Sequence, residues 1–254
     1  ELEEPELDEH GQEILWRVDF HTDDHGEALC PAIWPVDKLL LRRKSNSRAF
    51  SREYQGQVTD DDSVLIKWKW LQWCLDRSRS WGVVDRNKYI GIITGVDPAL
   101  VTDKKTAEGH DTDWAVFLTG GICSNHKLEL IGLKRDRGLS PNALEQAYIG
   151  QADYFEPNLM FNEVNSFGTI YQWQIRHKTQ IPIVAHRTTG RNKYDAWEGV
   201  PSLAAIFENK QISIPYATPD DQKITDCFIQ ELYEIEEGPG KDDQRMALWI
   251  LYSG

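Results

Sequence analysis

No stretch of this chain is apolar over anything near the ~20 residues needed to cross a bilayer, and the acidic opening from Glu1 to Glu13 lacks a basic-then-apolar secretory pattern. The sequence therefore reads as soluble and intracellular, with no membrane partner. Its first residue is Glu1 rather than Met, which reads as the cut end of a fragment. Cysteine is scarce. Cys30, Cys74, Cys123 and Cys227 form no CxxC pair and have no paired His nearby, which argues against structural zinc and for reduced, buried thiols. A Walker A loop is missing as well: Gly238-Pro239-Gly240-Lys241 has the residue types at the wrong spacing, so no nucleoside triphosphate site is expected. No convincing Ser/His/Asp set stands out. Basic charge is in short supply too, with 28 Lys and Arg against 41 Asp and Glu for a net charge of −13. That deficit argues against tight autonomous binding to nucleic acid, which rests on neutralising phosphates. It leaves open a site in which bound cations supply the positive charge.

What the chain does have is bulk. Apolar residues make up 40% of it and Trp occurs 10 times, enough to fill one large α/β domain with an appendage. Residues 1–12 are acidic and unpatterned, as a solvated lead-in would be. The alternation Ile14, Trp16, Val18, Phe20 predicts a short strand. Helices are expected over 36–44, 47–54 and 63–79. The last of these carries Trp68, Trp70, Leu71 and Trp73, which read as a core stripe in preference to a partner surface.

From Lys88 the pattern becomes regular. Strands are expected at 89–96, 113–119 and 127–134, with a turn between Gly120 and His126, forming a three-stranded antiparallel meander. Ser140 as N-cap and Pro141 at the first helical position open a helix to about Phe155. A strand at 159–164, a helix near 169–177, a strand at 181–185 and a helical stretch over 192–209, interrupted at Gly199-Val200-Pro201, follow. A short edge strand at 211–214 and helices over 219–236 and 242–252 close the chain.

Three acidic positions stand out by location. Asp97 ends one apolar strand and Glu163 another, while Asp242 and Asp243 open the terminal helix after a Gly-Pro-Gly turn. Strand ends of this kind gather at the carboxyl edge of a sheet, where ligand sites form. Hard divalent cations take carboxylate oxygens, and a pair of them can activate water and stabilise a leaving oxygen in phosphodiester hydrolysis. Taken singly, each acid also reads as a turn former, a helix cap or a solvated strand end. Their joint placement in this element order favours a metal site.

At these residues the sequence resembles the large terminase subunit of tailed bacteriophages. Gly95-Val96-Asp97-Pro98-Ala99 with Asp111-Thr112-Asp113-Trp114-Ala115 is similar to that family's first nuclease motif and the strand after it. Asn162-Glu163-Val164-Asn165-Ser166-Phe167-Gly168 is similar to the second, and Lys241-Asp242-Asp243-Gln244-Arg245-Met246-Ala247-Leu248-Trp249 to the closing Asp-Asp motif. Gly190-Arg191-Asn192-Lys193-Tyr194 and Phe207-Glu208-Asn209-Lys210-Gln211-Ile212 resemble the segment between. Lys241 stands where many relatives have His. Gly26-Glu27-Ala28-Leu29-Cys30-Pro31 and Phe50-Ser51-Arg52-Glu53-Tyr54-Gln55 resemble the stretch that follows the family's ATPase core.

The resemblance implies an RNase H-like mixed β-sheet flanked by helices over residues 88–254. Residues 1–87 would be a mostly helical appendage continuing from an ATPase domain removed or lying elsewhere. It implies an endonuclease that cuts concatemeric double-stranded viral DNA during packaging in the host cytoplasm, using Mg2+ or Mn2+, with a portal protein and a small terminase subunit as partners. Asp97, Glu163, Asp242 and Asp243 would be the catalytic and metal-holding residues, with the choice between the two aspartates open. Arg187, Arg191, Lys193, Lys241 and Arg245 are candidates for phosphate contact, and His110 and His186 are further candidate metal ligands outside the core set. Two other readings remain: another RNase H-like nuclease of resolvase or transposase type, and a non-catalytic docking domain of a packaging motor.

Overall fold

The computed structural model describes residues 28, 31–45, 50, 53–54, 65–99, 114–164, 175–176, 178–233 and 242–254. The chain divides into two compact units, Glu1–Ser63 and Val64–Gly254. In the first, α1 (Val36–Ser45) starts directly after Pro35, whose carbonyl accepts from the backbone N–H groups of Lys38 and Leu39. Asp37 in its first turn and Arg42, Arg43 and Lys44 in its last match the helix dipole. Tyr54 meets Trp34 edge-on and stacks on Phe50. The strand expected at 14–20 lies outside the described residues, and of the helix expected at 47–54 only residues 50, 53 and 54 are described, all helical.

The second unit is built on a seven-stranded mixed sheet, with elements α2 (Trp68–Trp73), β1 (Leu75–Asp76), β2 (Tyr89–Asp97), β3 (Trp114–Cys123), β4 (Leu128–Arg137), α3 (Pro141–Phe155), β5 (Leu159–Glu163), β6 (Ile183–His186), α4 (Gly190–Lys193), α5 (Leu203–Glu208), β7 (Ile212–Pro215), α6 (Pro219–Tyr233) and α7 (Asp243–Ser253). The strand order is β1-β7-β4-β3-β2-β5-β6. The meander β2-β3-β4 is antiparallel; β5 joins β2, β6 joins β5, β7 joins β4 and β1 joins β7 in parallel. This is the mixed α/β sheet flanked by helices that the sequence led us to expect.

Period-two alternation splits β3 between two cores. Ala115 and Phe117 face α3, packing with Leu144, Ala147 and Tyr148, while Val116 and Leu118 face the opposite layer, where α5, α6 and α7 supply Phe207, Phe228, Ala247, Leu248 and Leu251. A strand covered on both faces reads as one continuous apolar run. Ser140 caps α3 as expected, its hydroxyl accepting from the backbone N–H of Ala143.

Several elements differ from the sequence reading. The helix expected to reach Arg79 stops at Trp73, because Leu75 and Asp76 pair with Ile214 and Pro215 as a strand. Trp70 packs against the core, but Trp68 and Trp73 each stay 42% exposed. Strand β7 is not an edge: it lies between β1 and β4. Strand β3 runs through Gly120 and Gly121, so the turn falls later, at 124–126. The stretch 192–209 is not one interrupted helix: α4 ends at Lys193, and a 3-10 turn, Val200–Ser202, leads into α5. The sheet unit begins at Val64, so residues 64–87, assigned by sequence to the appendage, contribute β1 as well as Ile66, Leu71 and Cys74 to its core. Among the described residues no helix is long and apolar enough to cross a membrane.

Candidate metal centre

Strands β2 and β5 run parallel, with Val96 opposite Asn162, so the residues that follow, Asp97 and Glu163, end the two strands side by side. Glu163 is in turn opposite His186 on β6. Three polar side chains thus form a row across the carboxyl ends of three adjacent parallel strands.

Helix α7 lies across the same face. Its approach to β2 depends on Gly95: a Cβ there would meet Leu251 N at 2.6 Å. Asp97, two residues further, projects to the same side. The start of α7 brings Asp242 and Asp243 to the row. Asp243 is only 6% exposed and its Oδ2 accepts from the backbone N–H of Trp114 at 3.1 Å, which ties the helix to the first residue of β3. Asp242 Oδ2 takes the ammonium of Lys193 at 2.7 Å.

The electrostatics follow from this crowding. Burial, then the charge of Glu163 and a hydrogen bond with it, then the charges of Asp243 and Asp242, push the Asp97 carboxyl well above the ordinary carboxylate range. Lys193 responds in the opposite sense. Burial works to lower its pKa, but the hydrogen bond and charge of Asp242, with Tyr194 and Asp97 behind, outweigh it and hold the ammonium above its usual value. For His186, burial lowers the pKa against the pull of Glu163. Its ring meets Trp249 edge-on at 4.7 Å, and its Nε2 pairs with Ser253 Oγ at 3.0 Å. The Ser253 hydroxyl proton goes to the Trp249 carbonyl, so Nε2 is the donor of that pair.

Asp97 and Glu163 are thus within hydrogen-bonding reach of each other, and Asp243 and Asp242 are near enough for their charges to act on Asp97. The donor set fits a hard divalent cation. Among the described residues no three His, Cys, Asp or Glu side chains already stand as a ready-made single-ion site, so the cluster is a close pair, Asp97 and Glu163, with the two aspartates further off.

The structure brings Asp97, Glu163, Asp242 and Asp243 together and sorts the basic candidates. Lys193 reaches Asp242. Arg187 and Arg191 are exposed. Arg245, expected to meet phosphate, is only 7% exposed in the first turn of α7, which withdraws it from that role. Lys241 and His110 lie outside the described residues. Sequence reading missed Trp114 as an anchor of Asp243, and with it Arg135 and Arg137, whose guanidinium carbons lie 4.0 Å and 4.4 Å from the Trp114 ring centroid. It also missed Glu231, which bonds the start of α7. No local pattern announces these contacts.

No family model matches the sequence, and no curated protein matches it. Solved structures similar to this chain are nuclease domains of phage large terminase subunits, the family its motifs resemble. The nuclease domain of the large terminase subunit gp2 of bacterial virus Sf6 is 12% identical, with a TM-score of 0.49 over 74% of this chain and 97% of that one. The large terminase nuclease from thermophilic phage G20c with bound magnesium is 18% identical, with a TM-score of 0.48 over 73% of this chain and 95% of that one. The same nuclease with bound cobalt is 15% identical, with a TM-score of 0.47 over 65% of this chain and 84% of that one.

Proposed function

We propose that this chain is a divalent-metal-dependent endodeoxyribonuclease that cuts double-stranded viral DNA during genome packaging, as the nuclease part of a large terminase subunit. The observation that supports the reading is that Asp97 and Glu163 end adjacent parallel strands side by side, with Asp243 and Asp242 near enough for their charges to act on Asp97. Asp97 and Glu163 would hold the cations with Asp243, the buried aspartate already fixed by Trp114. Asp242 is the more loosely committed of the pair, its charge directed to Lys193. When bound, Mg2+ or Mn2+ would supply Lewis acidity and a lowered water pKa at the scissile phosphate.

The protein's own groups do the rest. Strand ends and the first turn of α7 hold the carboxylates on rigid elements. Lys193 places a positive charge beside them, suited to a phosphate oxygen. Arg187 and Arg191, exposed next to β6 and on α4, would hold the DNA backbone without reading bases. An ATPase domain of the same polypeptide, a portal protein and a small terminase subunit are the partners this role requires.

The test is plasmid cleavage by the purified chain. Cutting is expected only with added Mn2+ or Mg2+, and Asp97→Asn and Glu163→Gln should each lower the rate by at least about a thousandfold, as loss of a transition-state electrostatic contact does, with unchanged circular dichroism. Undiminished cleavage by both variants overturns the assignment. No cleavage and no effect of Mn2+ on melting would favour the docking-domain reading instead, for which the exposed Trp68 and Trp73 speak.

A further inference from the structure

A helix leaves its first N–H groups without partners, and the residue at its N-cap ordinarily supplies a side-chain oxygen to one of them. Helix α7 has a capable residue there, Asp242, yet Asp242 makes no capping hydrogen bond. Its carboxylate is turned to Lys193 instead. Asp243, the next residue, is also occupied elsewhere, by the N–H of Trp114. The capping is done at long range. Glu231, near the end of α6, accepts from the backbone N–H of Gln244 at 2.6 Å and from that of Arg245 at 3.3 Å through Oε1, while its Oε2 takes the side-chain amide of Gln244. Arg135 on β4 stands 3.7 Å from Oε2 and also lies over the Trp114 ring. The contacts close a ring: Glu231 to the first turn of α7, α7 to Asp243, Asp243 to Trp114, Trp114 to Arg135, and Arg135 back to Glu231.

We propose that Glu231 is a positioning residue of the metal centre: by capping α7 from another helix, it frees Asp242 and Asp243 from capping and fixes where both carboxylates stand relative to Asp97. The inference rests on the metal-nuclease reading above and adds to it the device that holds the third and fourth acids in place. Glu231 touches neither cation nor DNA. Its contribution is to the placement of groups that do.

The experiment is Mn2+ binding to the purified chain by isothermal titration calorimetry, with the metal alone, below the melting temperature of every variant. Glu231→Ala should weaken Mn2+ binding by about 10–100-fold, the usual effect of removing an outer-shell partner. Glu231→Gln should restore most of the loss, because its amide oxygen still accepts from the Gln244 and Arg245 N–H groups. Glu129→Ala, which removes an ion-pairing acid at the other end of the sheet, controls for general destabilisation and should leave Mn2+ affinity unchanged. Wild-type affinity in Glu231→Ala, failure of Glu231→Gln to restore it, or an equal loss in Glu129→Ala overturns the proposal. Should Glu231→Ala not fold, Glu231→Asp carries the test: its carboxylate is one methylene short of the α7 amides, weakened Mn2+ binding supports the role, and unchanged binding overturns it. Absence of Mn2+ binding by the wild-type chain overturns the metal-centre reading and this inference together, whereas a wild type that binds beside an unaffected Glu231→Ala overturns this inference alone.

Discussion

Carboxylates stand at both ends of the central strands, in opposite surroundings. On β4, Glu129 is opposite Gly121 and near the start of β2, while Asp97 is opposite Val116 at the far end. Glu129 Oε2 takes the ammonium of Lys88 at 2.6 Å, the hydroxyl of Tyr89 at 3.0 Å and the guanidinium of Arg79 at 3.3 Å. Burial alone would raise its pKa, but the Lys88 bond, the Arg79 charge and the Tyr89 hydroxyl outweigh burial and bring it below the ordinary value. Asp76 shares Arg79 and is likewise lowered, burial being overcome by Ser78 and Arg79. Asp97 is half-buried, and there burial acts together with the charges of Glu163, Asp243 and Asp242, so its pKa goes up. At one end each acid is answered by a donor from the protein; at the other Asp97 faces further acids. The first arrangement stabilises the native state as it stands. The second sets burial and like charge against Asp97, which costs stability, as crowded acids commonly do.

The contrast can be broken in three ways, taken from the largest expected effect to the smallest. Glu129→Ala leaves Lys88 without its acid and Arg79 with Asp76 alone, and should destabilise the chain by about 2–3 kcal/mol in urea denaturation, because a partly buried charge network has lost its shared partner. A loss under about 0.5 kcal/mol, the scatter of an ordinary surface change, would mean that the network stabilises nothing.

Asp97→Asn should do the reverse in metal-free buffer and raise stability by about 1–2 kcal/mol, for a gain of about 2–4 °C per kcal/mol in melting temperature. The pH dependence has a definite sign. A carboxyl whose folded pKa is raised binds its proton more tightly in the native state, so its contribution is fully present below the unfolded value near ~4 and is lost as pH rises through the folded value. Relative to Asp97→Asn, the metal-free wild type should therefore lose stability as pH rises above the unfolded value. An unchanged slope in Asp97→Asn would count against the crowded-acid account.

Asp221, in the first turn of α6, gives the smallest effect. Burial would raise it, but it accepts from the Thr218 hydroxyl at 2.6 Å, the Thr218 N–H at 2.8 Å and the Trp81 N–H at 3.0 Å, and is brought down to about 2. Its stabilisation is present above the unfolded value near ~4 and is lost as pH falls toward the folded one. Asp221→Asn should remove on the order of 1 kcal/mol of that acid sensitivity. An acid melting profile identical to that of the wild type would show that these bonds add no net stability.

Local sequence was a good guide where neighbours in the chain decide the structure. Ser140-Pro141 announced α3 because cap and first-turn chemistry are local. The meander of β2, β3 and β4 followed from its apolar alternation and turn. The row of acids was legible because strand ends and a helix start are themselves local features, so Asp97, Glu163 and the Asp242-Asp243 pair could be picked out before their meeting was visible. The helix extended to Arg79 is the instructive miss. Trp68, Trp70 and Trp73 gave a helical pattern, but Leu75 and Asp76 are claimed by pairing with Ile214 and Pro215, far along the chain. Strand β7 was misread as an edge for the same reason, since nothing near 212–215 records that β1 arrives from before the meander.

The amino-acid sequence by itself determined the central meander, the cap of α3 and the identity of the acids at element ends, because burial periodicity and capping act over a few residues. The tertiary structure alone decided that Lys193 answers Asp242, that Arg245 is buried, and that Glu231, from within another helix, caps α7. These pairings join residues from separate elements, and a charge leaves no sign in its own neighbourhood of the partner that packing will bring to it.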